Sequence, residues 1–256
     1  MSAIHPAAAH GFSAEAATYA TGRPEYPDAI VNWMKTALGV GPSTVALDLG
    51  AGTGKFTRRL VETGAQVIAV EPVADMLARL TQQMGTVEAH AGTAEAIPLP
   101  DESVDLVACA QAFHWFASAA ALAEIRRVLK PGGHLLLIWN VRDESTPWVK
   151  ALTDIMTPHE GDAPRFHTGA WRTVFPADGF TPLEETEFPH GHTGSVQNVV
   201  VDRVMSVSFI AAMPPEGQAR IRAEIADLIA ATPELSAGHA VTFPYTTRAF
   251  TSRKTV

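Results

Sequence analysis

Residues 44–56 read Thr44-Val45-Ala46-Leu47-Asp48-Leu49-Gly50-Ala51-Gly52-Thr53-Gly54-Lys55-Phe56. A short β-type run ends in three alternating glycines, and a helical stretch (55–63) follows. Glycines permit a tight turn and let backbone approach a ligand closely. The helix start beyond them offers free N–H groups. The spacing is G-x-G-x-G, with Asp48 two residues before the first glycine. A dinucleotide fingerprint is spaced G-x-G-x-x-G, and a P-loop ends in Gly-Lys-Ser/Thr; here Lys55 is followed by Phe56. Alone, the loop marks a nucleotide-like ligand at a strand–helix turn, with an ordinary glycine-rich turn as the competing reading.

Outward from this loop, β-type runs at 66–70, 86–90, 104–110 and 134–139 alternate with helical stretches at 74–84 and 117–129. Runs apolar on both faces suit parallel strands covered by helices on each side. The expected fold is therefore α/β, a doubly wound and mostly parallel sheet, with ligands at the carboxyl ends of its strands. After Trp139 the pattern changes. Residues 143–165 are mixed and carry Pro147, Pro158 and Pro164. Runs at 183–188 and 240–250 are β-type, and between them 196–212 and 215–231 have helical character. A helical insertion between the last two strands would lie above the sheet as a cap.

Strand ends supply the next candidates. Glu71 follows the second run, seventeen positions after Gly54, where an acid can accept both hydroxyls of a ribose. Asp75 and Met76 follow Pro72; Met76 is read as a cover for an adenine face or as a core residue. The third run leads into Gly92-Thr93-Ala94-Glu95-Ala96-Ile97-Pro98-Leu99-Pro100-Asp101, where Thr93, Ala94 and Glu95 can offer hydrogen bonds to a base edge.

Bulk properties narrow the partners. The chain has 256 residues, 46% of them hydrophobic and 18% charged, enough for a full core. Its net charge is −8, and its basic pairs are scattered, so nucleic acid is not the expected substrate. No run reaches the roughly 20 apolar residues of a membrane span, and residues 1–10 lack a signal-peptide pattern. The single cysteine, Cys109, excludes an intrachain disulfide framework. A cytoplasmic protein without membrane or nucleic-acid partners is expected. His190-Gly191-His192 can place two rings on one face, but a metal site needs more ligands and none is expected.

The segments at 48–54 (DLGAGTG), 69–72 (AVEP), 92–100 (GTAEAIPLP), 103–107 (SVDLV) and 129–137 (LKPGGHLLL) resemble class I S-adenosylmethionine (SAM)-dependent methyltransferases. The subgroup resembled is the type 11 small-molecule group, which includes trans-aconitate methyltransferase-like proteins. Residues 19–27, 111–116 and 243–247 resemble further parts of that subgroup, and the likeness thins across 141–240. It implies a Rossmann-like seven-stranded sheet: a tail at 1–10, a helical lid at 11–43, a SAM-binding core at 44–140, and a C-terminal part at 141–256 with a substrate cap at about 192–238. It also implies that Asp48, Gly50, Ala51, Gly52 and Gly54 line the methionine half of SAM. Glu71 and Pro72 would meet the ribose, Met76 would flank adenine, and Thr93, Ala94 and Glu95 would meet its edge. Gln111 would pass close to the sulfonium. Tyr19 and Arg23 would close the pocket; Arg23 suits the SAM carboxylate, an acidic substrate or a structural ion pair.

The expected activity is in-line methyl transfer to a small organic molecule, by O-, N- or carboxyl-methylation, leaving S-adenosylhomocysteine. His114 is the candidate general base, with packing in an aromatic cluster as its rival reading. Phe113, Trp115 and Trp139 are candidate substrate walls. A non-catalytic SAM-binding regulator or subunit is the alternative, and an NAD-dependent oxidoreductase a lesser one. Whether the protein is a monomer or a homodimer is not decided by the sequence.

Overall fold

Asp48 lies in register with Ala69 of one neighbouring strand and Ala108 of the other, so the glycine loop leaves the sheet at its middle. The computed structural model describes residues 23–238 and 240–255. Val45–Leu49 (β1), Gln66–Val70 (β2), Glu88–His90 (β3), Val104–Ala110 (β4) and Leu129–Arg142 (β5) pair in parallel. Glu184–Gly194 (β6) and Val241–Arg253 (β7) complete the sheet in the order β3-β2-β1-β4-β5-β7-β6. β7 runs antiparallel to both of its neighbours. The chain moves outward to β3 on one side of β1 and to β5 on the other. The carboxyl ends of β1 and β4 thus part around a crevice, where an open α/β sheet binds its ligand.

Ala29–Ala37 (α1), Lys55–Glu62 (α2), Ala74–Gln83 (α3) and Ala119–Val128 (α4) cover the sheet. Each buries an apolar stripe, such as Ala121, Leu122, Ile125 and Val128 of α4. Ser118 caps α4 by accepting the Ala121 amide at 3.1 Å, which satisfies a free helix-end donor. One face of the sheet packs on α1 and α2 through Ile30, Met34, Phe56 and Leu60. The other packs on α4 and an aromatic cluster of Phe113, Trp139, Trp171 and Phe250. Strands β1, β2 and β4 are apolar on both sides because both sides are covered.

Two segments depart from the sequence expectation. Residues 143–165, read as mixed, contain the helix Pro147–Met156 (α5). Pro147 sits in its first turn, where a missing N–H costs nothing, so the proline starts the helix rather than breaking it. The single helix expected at 196–212 is three pieces: a π-helical turn at Gln197–Asp202, a short α turn at Arg203–Met205, and Ser208–Ala211. With α5 and Pro215–Ala231 (α6), these pieces bury Trp148, Val200, Val204, Met205 and Ile225 against Phe243 and Tyr245 of β7. All of these helices except α5, which precedes β6, form the insertion between the last two strands. Among the described residues no helix is long and apolar enough to cross a membrane.

Phe250 is fully buried and lies 5.1 Å from Trp171 and 5.8 Å from Trp139, ring centre to ring centre. Truncating such a side chain removes its transfer energy and leaves a cavity. Phe250→Ala is expected to lower the unfolding free energy by about 3–5 kcal/mol, measured by chemical denaturation.

Candidate active site

The glycine loop depends on backbone that other residues cannot supply. Gly50 has φ +74°, and a Cβ there would stand 2.8 Å from the Ala112 Cβ. The loop after β1 therefore lies directly against the loop after β4. Gly52 turns its amide to Glu71 and donates to Oε2 at 2.8 Å. The Val73 amide donates to Glu71 Oε1 at 2.9 Å. One buried carboxylate thereby joins the ends of β1 and β2. Burial pushes the Glu71 pKa up, opposed by these two amide bonds.

Around this carboxylate lies a cavity. Its wall includes Gly50, Ala51, Gly52, Glu71, Pro72, Met76, Thr93, Ala94 and Glu95 at one end. Arg23, Gln111, Trp115, Asn140 and Arg203 wall the other. Gln111 ends β4 with φ +56°, a left-handed conformation that costs a non-glycine residue on the order of 1–3 kcal/mol. Its amide donates to the Ile138 carbonyl at 2.8 Å and its side chain to the Asn140 carbonyl at 3.2 Å. Those two bonds hold it in place.

The family model described as "Methyltransferase domain" matches residues 47–137, the stretch that carries the glycine loop and all or part of each of the five parallel strands. An uncharacterized methyltransferase-like protein of Schizosaccharomyces pombe is 39% identical over 244 residues, covering 95% of each chain. An uncharacterized methyltransferase of Mycobacterium tuberculosis is 38% identical over 236 residues, 92% of each chain. The chain belongs to the class I SAM-dependent methyltransferases. A solved structure from Anaeromyxobacter dehalogenans, assigned as a type II methyltransferase, is 26% identical with a TM-score of 0.63. That superposition covers 91% of this chain and 97% of the other.

Not every candidate residue of this methyltransferase lies on the cavity. Asp48 is fully buried beneath the loop. Its Oδ2 accepts the Thr57 hydroxyl at 2.6 Å, tying β1 to α2, while Oδ1 has no partner. Gly54 is the N-cap of α2 and sits behind the cavity, against Met84 and Leu80. Phe113 and Trp139 are buried in the aromatic core, where Trp139 packs 4.7 Å from Trp171. Of the three aromatic walls expected, Trp115 faces the cavity. Tyr19, His5 and His10 lie outside the described residues, as does most of the 11–43 segment's first half.

His114 is held by its neighbour. The Trp139 indole N–H donates to His114 Nδ1 at 3.0 Å. An indole can only donate, so Nδ1 is an acceptor and the neutral ring carries its proton on Nε2. Burial and the Arg165 and Arg23 cations push the His114 pKa down to about 3. Its lone pair is committed and its other nitrogen is protonated. This ring is a hydrogen-bond donor, which does not suit the general-base reading.

Sequence reasoning passed over several residues. Asn140, at the carboxyl end of β5, accepts from Thr247 Oγ1 at 2.6 Å and from His190 Nε2 at 3.2 Å, and donates to the Glu25 carbonyl at 3.3 Å. His190 is thus a donor to Asn140, and among the described residues no His, Cys, Asp or Glu group of three is placed to hold a metal ion. Lys55 binds the Arg23 carbonyl and the Glu25 carboxylate at 2.9 and 2.8 Å. Arg23 in turn donates to the Ser206 carbonyl at 3.0 Å. The segment at 23–26 is therefore pinned between the cofactor helix and the insertion. Asn140 was legible as the next residue past an expected strand end. Arg203 was legible as a lone cation within Val199-Val200-Val201-Asp202-Arg203-Val204-Met205.

Asp48 carries a pH signature. Burial first, and the nearby Glu71 carboxylate to a lesser degree, raise its pKa from 3.8 to about 7 against the opposing Thr57 bond. A raised folded-state pKa gives stability that is complete below the unfolded pKa and is lost as pH rises through the folded one. Asp48→Asn keeps an acceptor for Thr57 and cannot ionise. The melting-temperature difference between variant and parent is expected to grow in the variant's favour from pH 4 to pH 7 and level off above. Thermal unfolding of the ligand-free protein across that range checks this, and a flat difference would contradict it.

Proposed function

We propose that this methyltransferase acts on a small organic molecule, at an oxygen, a nitrogen or a carboxylate, by direct in-line transfer. The observation that carries the reading is the continuity of the cavity. It runs from the glycine loop and Glu71 to Trp115, Asn140 and Arg203 beneath the helical insertion. Such a covered end, walled by an aromatic ring and a few polar groups, suits a small ligand.

The residues fit SAM. A carboxylate has about four lone-pair sites, and the Gly52 and Val73 amides use two of Glu71's. One site on each oxygen is left for a ribose hydroxyl. Gly50, Ala51 and Gly52 would offer backbone to the methionine half, and Asp48 and Gly54 would support that loop from below. Met76 and Pro72 would cover the adenosine, with Thr93, Ala94 and Glu95 at the adenine edge. Gln111 would border the methyl group, and Arg23 would meet the carboxylate of SAM or of the acceptor. Bound SAM supplies a methyl group already activated on a sulfonium, with S-adenosylhomocysteine as product. The protein's part is orientation and exclusion of water. His114 would donate through Nε2 rather than remove a proton.

Isothermal titration with S-adenosylhomocysteine and NADH, followed by an acceptor screen with methyl-labelled SAM, tests this reading. Binding of the first but not the second, with label in a low-molecular-weight product, is expected. Label found only on protein- or carrier-bound acceptors would overturn the small-molecule reading, and firm binding without any turnover would favour a non-catalytic role. Glu71→Ala is expected to weaken S-adenosylhomocysteine binding about 100-fold, since hydrogen bonds to a charged group contribute about 1.5–3 kcal/mol each. His114→Phe is expected to lower kcat with little change in that affinity. In the parent, kcat/KM should show no loss between pH 8 and pH 5 from this ring, because it stays neutral well below that range. An acid limb removed by His114→Phe would contradict the donor assignment.

A further inference from the structure

Two arginines at or beside the acceptor end of the cavity have no ion-pair partner among the described residues. Arg203 is 8% exposed and lines the cavity. Its Nε donates to the Tyr245 hydroxyl at 3.0 Å, while Nη1 is buried with no partner. Arg165 stacks 4.3 Å from the Phe209 ring and 5.9 Å from the ring of Trp115, itself a cavity wall. Its Nε and Nη2 are both buried and unpartnered. Among the described residues no carboxylate comes within ion-pair distance of either guanidinium.

A third cation lies close by. Arg142 donates to the Met156 sulfur at 3.4 Å, and burial together with Arg203 pushes its pKa down to about 10. Arg165 is also lowered by burial and by Arg203, against the opposing pull of Glu160. Glu160 attracts both Arg142 and Arg165 through space without an ion-pair contact to either, and its carboxylate lies 3.4 Å from His167 Nε2.

Each buried donor left unmade costs about 1–3 kcal/mol, and three like charges repel one another. A fold does not gain from such an arrangement in itself. An oxyanion between the two guanidinium groups would satisfy the free N–H groups and offset the repulsion, and the guanidinium fork matches carboxylate and phosphate alike.

We propose that Arg165 and Arg203 form an oxyanion clamp for the methyl acceptor, and that the acceptor is a small organic molecule bearing a carboxylate or phosphate group. This rests on the small-molecule reading above and names its substrate class. Phe209 and Trp115 orient Arg165 by stacking, Tyr245 orients Arg203, and Arg142 adds charge behind them.

The test uses the full chain saturated with S-adenosylhomocysteine. Acetate, succinate, citrate and inorganic phosphate are titrated calorimetrically, with an uncharged amide of succinate as control. At least one anion is expected to bind, and the amide is not; which anion binds separates carboxylate from phosphate. Arg165→Met keeps the stem between its two rings, and Arg203→Lys keeps a cation without the fork. Each should weaken anion binding at least tenfold and leave S-adenosylhomocysteine affinity unchanged. Arg165→Met should not lower the melting temperature of the ligand-free protein, whereas loss of a purely structural arginine would. Anions that do not bind, or that bind both variants like the parent, would overturn the proposal while S-adenosylhomocysteine binding stands. Failure of S-adenosylhomocysteine to bind would instead overturn the cofactor-site reading on which it rests.

Discussion

Glu71 accepts the Gly52 and Val73 amides at 2.8 and 2.9 Å, which fixes the loops after β1 and β2 relative to each other before any ligand is present. Placing a carboxylate at 4% exposure is costly, and the two amide bonds offset part of that cost. The rest of the cofactor end follows from this constraint. Gly52 can turn its amide inward because it has no side chain, and Gly50 can let the loop rest on Ala112 for the same reason. Asp48 and Thr57 then hold the base of the loop to α2. The site is stiff on this side because its polar groups are bonded to one another through backbone.

This stiffness explains what could be read from the chain directly. The strands at 66–70 and 104–110 appear with the limits their apolar runs suggest, because strands covered on both faces leave an uninterrupted signal. Glu71, Met76, Thr93, Ala94 and Glu95 come to one cavity because each follows the carboxyl end of a strand, and strand ends are visible in sequence. Asp48 is the instructive exception. It lies in the same motif, yet its side chain points to the packing beneath the loop, and alternation along β1 cannot say which face a ligand will use.

The other end was less legible because its geometry is non-local. His114 owes its protonation pattern to Trp139, twenty-five positions away. Asn140 gathers Gln111, Glu25, His190 and Thr247 from four separate stretches of chain. Arg165 and Arg203 come close enough to influence each other through a segment read as mixed and a helix read as continuous. In each case the deciding contact links elements whose pairing no local periodicity records. The insertion's broken helix is set by the burial of Val199, Val200, Val204 and Met205 on several sides, so packing against α5 and α6 outweighs helical regularity.

The two ends differ in charge as well as in legibility, and that difference constrains the chemistry. The Glu71 carboxylate stands at the cofactor end, and guanidinium groups stand at the other. Under the proposed clamp an anionic acceptor would be drawn to the guanidinium end, which would order the two ligands along the cavity. An oxyanion clamped by two arginines is also a poor nucleophile, because its lone pairs are engaged by charged donors. In the proposed clamp the held group would therefore be the anchor, and the methylated atom a different one, presented past Trp115 toward Gln111. An acceptor that fits this cavity has two functions on one small skeleton: an anion to be held and a second nucleophile to be presented. With His114 Nδ1 engaged by the Trp139 indole, that nucleophile would have to arrive in a form that does not depend on this imidazole to take its proton.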